Sequence, residues 1–251
     1  MTIFFFSATG NSLAVAKQFG GNLISIPQVI NDSKTQYKDD VIGLVFPIYS
    51  TAPPKMVSGF LNKITLEADY TFAIGTYGNM DGACMYNVQK LAQKRGYRFD
   101  YANSLLMLDN YLPVFEIEAE IQKMPKKRVE EKTAKIAADI KNRIKLQAKA
   151  SILMRALASI LKVFTSALEG AKGYIVNSGC TKCGTCEKVC PAKNIEVKGK
   201  VHFGGHCEAC LACVHLCPKN AIHLKNEKSG KRWRNPDVSL SELIKANNRL
   251  K

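Results

Sequence analysis

Cys180, Cys183, Cys186 and Cys190 stand at C-x2-C-x2-C-x3-C spacing with Pro191 after the last, and Cys207, Cys210, Cys213 and Cys217 repeat the pattern with Pro218. Eight of the nine cysteines thus fall within 38 residues. Three thiolates separated by two residues each can curl around three iron corners of one iron–sulfur cube. The fourth, carried past the proline, is better placed for a neighbouring cube. Zinc is the first alternative, since C-x-x-C pairs also make zinc sites. Zinc ribbons take two such pairs with a long spacer, however, and have no use for four sulfurs in eleven residues followed by proline. A disulfide scaffold is the second, and the lack of a secretory signal disfavours it.

The duplicated run resembles that of bacterial two-cluster ferredoxins, in which the fourth cysteine of each run ligates the other cluster. The resemblance implies that Cys180, Cys183, Cys186 and Cys217 hold one [4Fe–4S] cluster and that Cys207, Cys210, Cys213 and Cys190 hold a second.

The N-terminal segment offers a different chemistry. Thr2–Phe6 reads as a buried strand, Ser7-Ala8-Thr9-Gly10-Asn11-Ser12 as a turn, and Leu13 to Phe19 as the opening of a helix. That order leaves backbone N–H groups free at a helix N-terminus, where a phosphate binds well. The turn has neither the Gly-Lys-Ser/Thr of a nucleotide-hydrolysing loop nor the G-x-G-x-x-G of a dinucleotide site. It resembles the phosphate loop of flavodoxins, Ser/Thr-x-Thr-Gly-x-Ser/Thr. The alternative is an ordinary βα turn with a Ser or Asn cap.

The elements that must position this loop follow in order. Asn22–Ile26, Val41–Phe46 and Tyr70–Thr76 read as buried strands, alternating with helices near Pro54–Asn62 and Gly82–Arg95, with a fifth strand near Phe99–Met107. This rhythm predicts a parallel sheet with helices on both faces and a ligand beyond the carboxyl ends of the strands. The flavodoxin resemblance implies a doubly wound, five-stranded α/β sheet and a flavin held by two further loops. Those loops are Pro47 with Tyr49-Ser50-Thr51-Ala52, and Thr76-Tyr77-Gly78-Asn79 with Gly82. Tyr49 and Tyr77 are the candidate ring contacts, and Asp109-Asn110-Tyr111 is expected to face the same place. The implied cofactor is FMN, since no adenosine-binding fingerprint follows.

Length and composition set the frame. At 251 residues, 46% hydrophobic, the chain suits two modest domains with real cores. Charge breaks the longest apolar stretches, so no transmembrane helix is expected. The net charge of +15 is uneven: −2 over residues 1–120, +9 over 121–173 and +8 over 174–251. Nucleic-acid binding is the reflex reading of such numbers, but the basic helices lack interleaved aromatics. Two clusters at about −2 each and a flavin phosphate at about −2 would cancel much of the excess. Redox proteins, acidic ones among them, are the expected partners, and the cytoplasm, where thiols stay reduced, the expected location. The four histidines read as packing or surface residues and Cys84 as a small core residue.

Between the two motifs, Val129, Thr133, Ile136, Ile140 and Ile144 predict one helix over Lys126–Lys149, with Glu131–Lys135 and Asp139–Arg143 pairs outside. Leu153, Leu157, Leu161, Phe164 and Leu168 predict a second, connecting helix. Asn226–Asn235 reads as a polar hinge, and Ser239 as the cap of a short helix docking back on the body. As a whole the chain is similar to flavodoxin-type FMN domains fused to a small α+β two-cluster ferredoxin. The division expected is 1–148 for the FMN domain, 149–173 for the connecting helix, 174–226 for the ferredoxin and 227–251 for the tail. The resemblance implies an electron carrier between FMN and clusters; a reductase of a small acceptor, such as a quinone or flavin, is the alternative. No acid–base catalytic arrangement emerges from the spacing.

Overall fold

A computed structural model of the protein describes residues 1–155 and 173–248. Its N-terminal half is built on strands β1 (Thr2–Phe5), β2 (Asn22–Ser25), β4 (Val41–Pro47), β6 (Tyr70–Tyr77) and β7 (Tyr101–Leu106). A short pair, β3 (Gln36–Lys38) with β5 (Thr65–Glu67), lies apart from them. The five strands pair in parallel in the order β2-β1-β4-β6-β7. Numbered along the sheet's own chain order this is 2-1-3-4-5, the flavodoxin-like doubly wound topology. The strands are near-continuous apolar runs because both faces are covered. Ile3, Phe5, Val45, Phe72 and Ile74 point into one core. Phe4, Phe6, Ile42, Leu44 and Phe46 point into the other.

Helices α1 (Asn11–Phe19), α3 (Lys55–Lys63) and α4 (Cys84–Lys94) cross between strands, and a one-turn α2 (Ile26–Val29) follows β2. Cys84, the first residue of α4, is fully buried in the second core, as its small apolar role requires. The helix expected over Lys126–Lys149 is instead two: α5 (Ile117–Lys127) and α6 (Val129–Lys141). Arg128 between them is left-handed, at φ 50. α5 escapes pattern reading because its buried face carries Glu120 and Lys127. α6 ends early, and Arg143 is again left-handed. Leu146 then bonds beside β7, its N–H donating to Asp100 O at 2.9 Å and its carbonyl accepting from Ala102 N at 2.8 Å. Ile144 therefore leaves the apolar stripe. The ion pairs also shift: Lys135 meets Asp139 and Arg128 meets Glu131.

Most of the second predicted helix lies outside the described residues. Among the described residues no helix is long and apolar enough to cross a membrane.

The cysteine-rich unit consists of two antiparallel pairs, β8 (Tyr174–Val176) with β11 (Ile222–Leu224) and β9 (Ile195–Lys198) with β10 (Lys200–Phe203). Two one-turn helices, Thr185–Lys188 and Ala212–His215, complete it. The last helix, Leu240–Asn247, begins in a capping box: Glu242 N–H donates to Ser239 Oγ, and Ser239 N–H donates back to the Glu242 carboxylate. Its Leu243 and Ala246 are buried in the same core as Ile3 and Phe72. Leu243→Ala should therefore lower the stability of the whole sheet by about 2–5 kcal/mol. Chemical denaturation, followed through far-UV circular dichroism, measures this.

Candidate functional site

At the carboxyl end of β1 the turn Ser7–Ser12 is almost wholly buried. Gly10 stands at the N-cap of α1 with φ 106, a left-handed conformation glycine adopts without strain, and no side chain caps the helix. Leu13 N–H donates to Ser7 Oγ at 3.2 Å. Among the described residues no protein acceptor meets the N–H groups of Thr9 to Ser12. Ser12 Oγ and Thr76 Oγ1 share a hydrogen bond of 2.8 Å. Thr9 Oγ1 accepts from Asn110 Nδ2 at 2.7 Å, which leaves its own hydroxyl proton to donate elsewhere. This is an uncapped helix start with neutral donors, the chemistry that holds a phosphate.

One expected donor is partly committed. Asn11 Nδ2 donates to Leu108 O at 3.3 Å, while its Oδ1 accepts from Trp233 Nε1 at 3.3 Å and Asn235 Nδ2 at 3.1 Å. That leaves Asn11 its backbone N–H and one amide hydrogen to offer a ligand.

The other predicted loops gather at the same edge. Tyr49 and Ala52 exchange backbone bonds of 2.8 and 2.9 Å around Ser50 and Thr51, both left-handed at φ 47 and 66. A β-branched residue is strained there. Thr51 is buried beside Gly82, and among the described residues its Oγ1 meets no hydrogen-bond partner. A strained turn holding an orphaned buried hydroxyl suits a loop made to meet a ligand. Pro47, Tyr77 and Gly78 are half-buried, and Asn79 is exposed. Gly78 admits the close approach of the Asp109 loop: a Cβ on it would lie 2.3 Å from Asp109 Cβ. Burial pushes the Asp109 carboxyl up, with Glu120 adding to the effect.

Behind these loops is a residue that sequence reading missed. Lys127, buried at the end of α5, donates from Nζ to Met107 O at 2.6 Å, Glu120 Oε2 at 2.9 Å and Gly78 O at 3.1 Å. It ties the β6 and β7 loops together. Only three-dimensional pairing with Glu120 reveals it, since a lysine late in a helix reads as an ordinary C-terminal charge.

The cysteines fall into two groups. Cys180, Cys183, Cys186 and Cys217 line one pocket, with Lys182 and Lys219 on its wall. Cys190, Cys207, Cys210 and Cys213 line a second, walled by Tyr174, Phe203 and Glu208. Each group draws three sulfurs from one run and the fourth from the other. Among the described residues no three His, Cys, Asp or Glu side chains converge as a single-ion site.

The backbone is duplicated with the sequence. Lys182 and Ala209, Gly184 and Leu211, and Lys193 and Asn220 occupy equivalent places in the two runs, and all six are left-handed. Amide N–H groups of Asn194, Ala209 and Ala221 donate to the sulfurs of Cys190, Cys207 and Cys217 at 3.2, 3.3 and 3.3 Å. Burial pushes the Cys186 thiol up to about 11 and raises Cys213 and Cys190 as well. Free thiolates are disfavoured there unless positive metal charge accompanies them.

Three contacts join this unit to the flavodoxin-like loops. Glu208 Oε1 accepts from Met56 N at 3.0 Å, capping α3 from across the interface. Burial drives the Tyr49 hydroxyl pKa well up, and Cys210 and Glu208 nearby drive it further. His215 Nδ1 accepts from Trp233 N–H at 3.1 Å, so Nε2 carries the proton and donates to Asn110 O at 2.8 Å. Expected to be packing or surface, His215 is a buried bridge, and burial holds its pKa down to about 4.

Residues 172–229 match the family of 4Fe-4S dicluster domains. No curated protein sequence matches the chain. Among solved structures it is similar to a Bacteroides uniformis protein assigned as a flavoprotein, at 15% identity over 49% of this chain and 94% of that one, with a TM-score of 0.32. It is also similar to two-electron reduced Megasphaera elsdenii flavodoxin, at 19% identity over 41% and 83% of the two chains, with a TM-score of 0.28. The Flv1 flavodiiron core of Synechocystis sp. PCC6803 shares 12% identity over 55% of this chain and 36% of that one, with a TM-score of 0.29. The chain joins a sheet of flavodoxin topology to a 4Fe–4S domain, and its role is redox.

The Lys127–Glu120 pair gives a direct test of the loop support. Lys127→Met removes one of the two lysines paired with the buried Glu120 carboxylate, Lys123 remaining at 2.6 Å, and should cost about 1.5–3 kcal/mol. Adding Glu120→Leu should recover most of the loss, as read from unfolding midpoints in a double-mutant cycle.

Proposed function

We propose that the protein relays electrons between one FMN and two [4Fe–4S] clusters, serving redox partners as a two-electron/one-electron converter. The observation that carries this reading is the division of eight sulfurs into two mixed sets of four, one of them against the loop that bears Tyr49. Cys180, Cys183, Cys186 and Cys217 would ligate the first cluster, and Cys207, Cys210, Cys213 and Cys190 the second. Ser7, Thr9 and the N–H groups of Thr9 to Ser12 would hold the flavin phosphate. The strained Ser50-Thr51 turn and the Tyr77–Gly82 loop would bracket the ring. When bound, the flavin supplies two-electron chemistry divisible into single electrons, and each cluster exchanges one.

Residues 1–148 would act as the FMN domain, 149–173 as the connection, 174–226 as the ferredoxin and 227–251 as the tail. Partners would be other redox proteins. A cytoplasmic setting, with reduced thiols, suits cluster survival.

Protein purified anaerobically should contain about eight irons and eight sulfides per chain, with FMN rather than FAD. Stoichiometric zinc would sink the cluster assignment, and recovered FAD the flavin one. Cys190→Ser should damage the cluster held by Cys207, Cys210 and Cys213 and spare the other. Selective loss of the Cys180–Cys186 cluster signal in electron paramagnetic resonance would reverse the assignment.

Because Glu208, His215 and Trp233 fix the two units together, electrons given to the flavin should reach the clusters at a rate independent of protein concentration. Rapid-mixing spectroscopy over a range of concentrations checks this. Second-order transfer in the intact chain would favour separate carriers.

A further inference from the structure

The end of the expected polar hinge, Asn226–Asn235, and the helix after it run directly across the phosphate loop. Asn235 N–H donates to Thr9 O at 2.8 Å, and Asn247 Nδ2 donates to Ser7 O at 3.0 Å. A trans peptide points its carbonyl and its N–H in opposite directions. Drawing the Thr9 carbonyl toward Asn235 therefore turns the Gly10 N–H the other way, and drawing the Ser7 carbonyl toward Asn247 does the same for Ala8. The carbonyls, which would repel a phosphate, are held on the far side. Gly10 leaves no spare room there, since a Cβ on it would lie 2.9 Å from Asn235 Cβ and 3.1 Å from Val238 Cβ.

Asn11 is fixed by the same segment. Its Oδ1 takes one donor from Trp233 and one from Asn235, so the amide cannot flip and turn its oxygen toward an anion. Asp237 N–H closes a turn on Asn235 Oδ1 at 3.0 Å, which holds Asn235 in this pose.

Both ends of the segment are anchored. Trp233 N–H bonds His215, and its ring packs against the core that contains Cys186, Cys190 and Cys213. At the other end Lys17 Nζ holds Asp237 O at 3.0 Å and Glu242 at 2.8 Å, and Leu243 is fully buried.

We propose that residues 233–247 form a strap that sets the affinity of the flavin site for the phosphate of FMN, with Asn235, Trp233 and Asn247 as positioning residues. The proposal rests on the flavin reading above and adds to it the part of the chain that selects the phosphorylated flavin. None of the three side chains need touch the cofactor. Asn247 aims the Ala8 N–H, Trp233 and Asn235 lock Asn11, and the turn that Asn235 closes with Asp237 holds its backbone N–H on Thr9 O, which aims the Gly10 N–H.

Riboflavin, which has the same ring without the phosphate, separates this role from general support. The full-length protein, with its clusters retained and its flavin removed, is titrated with FMN and with riboflavin. Iron content and cluster absorption are checked for each variant. Asn235→Ala should raise the Kd for FMN about ten-fold or more, since it removes the side-chain bond to Asn11 and the Asp237 turn that holds the Asn235 N–H on Thr9 O, and leave the Kd for riboflavin unchanged. Trp233→Phe keeps the ring but removes the indole donor, and should shift the same ratio by a smaller factor. It also serves if Asn235→Ala does not fold. Equal weakening of both flavins would mean a loosened fold and would overturn the strap, as would an FMN affinity unchanged in both variants. If the native protein binds neither flavin, the flavin reading itself has failed.

Discussion

Val189, Ala212 and Leu216 of the cysteine-rich unit are buried in the same apolar core as Ile3, Val45 and Phe72 of the sheet, and the geometry of both candidate sites rests on this shared burial. A parallel sheet presents its loops at one edge, and that edge is where ligands bind in such folds. Here the edge is also a docking surface for the second unit. Apolar area removed from water there holds the two units in register without a large polar interface. The few polar contacts can then be specific. Glu208 caps α3, His215 reaches Asn110, and Trp233 reaches Asn11. Each would be weak at an exposed interface; in a water-poor one, leaving any of them unmade is costly.

The chemistry was legible in the chain because it depends on spacing. A cysteine run must match the geometry of what it binds, so the mixed sets of four followed from the repeat. The sheet was legible for a related reason: strands covered on both faces read as Val41–Phe46 and Tyr70–Thr76 do, as unbroken apolar runs. Loop positions then followed from strand ends. The phosphate loop was legible as a turn between strand and helix, but the long-range bonds of the Asn11 side chain were not. Nothing local distinguishes an amide that faces a ligand from one held by residues more than 220 positions away.

What escaped was polar burial and long-range pairing. α5 was missed because Glu120 and Lys127 occupy its inner face, where a pattern of apolar residues would otherwise have marked a helix. The single helix drawn over Lys126–Lys149 failed at Arg128 and Arg143, where left-handed residues carry no sequence mark as glycine would. Asn226–Asn235 read as a hinge because Asn226, Ser229, Gly230 and Asn235 have the composition of one. Its lone tryptophan was the available signal. A large amphipathic ring in a polar stretch needs a surface to cover and a partner for its N–H, and Trp233 has both.

The duplicated runs raise a last point about symmetry. Equivalent residues take the same left-handed conformations in both, so the backbone around each set of sulfurs is nearly the same. The surroundings differ. In the first set Cys183 is exposed and hydrogen-bonds to Thr185 at 3.4 Å, with Lys182 and Lys219 on the cavity wall. In the second set no sulfur is exposed, Cys190 and Cys213 are buried, and the wall is aromatic. Burial penalises added negative charge, while solvent and nearby cations ease it. Two sites with identical ligands would thus hold an electron with unequal ease. Part of that difference is written between the cysteines, since the repeat copies their spacing but puts Lys182 and Thr185 where the second run has Ala209 and Ala212. The rest comes from the sheet, which covers one set through Tyr49 and α3 and leaves the other facing water.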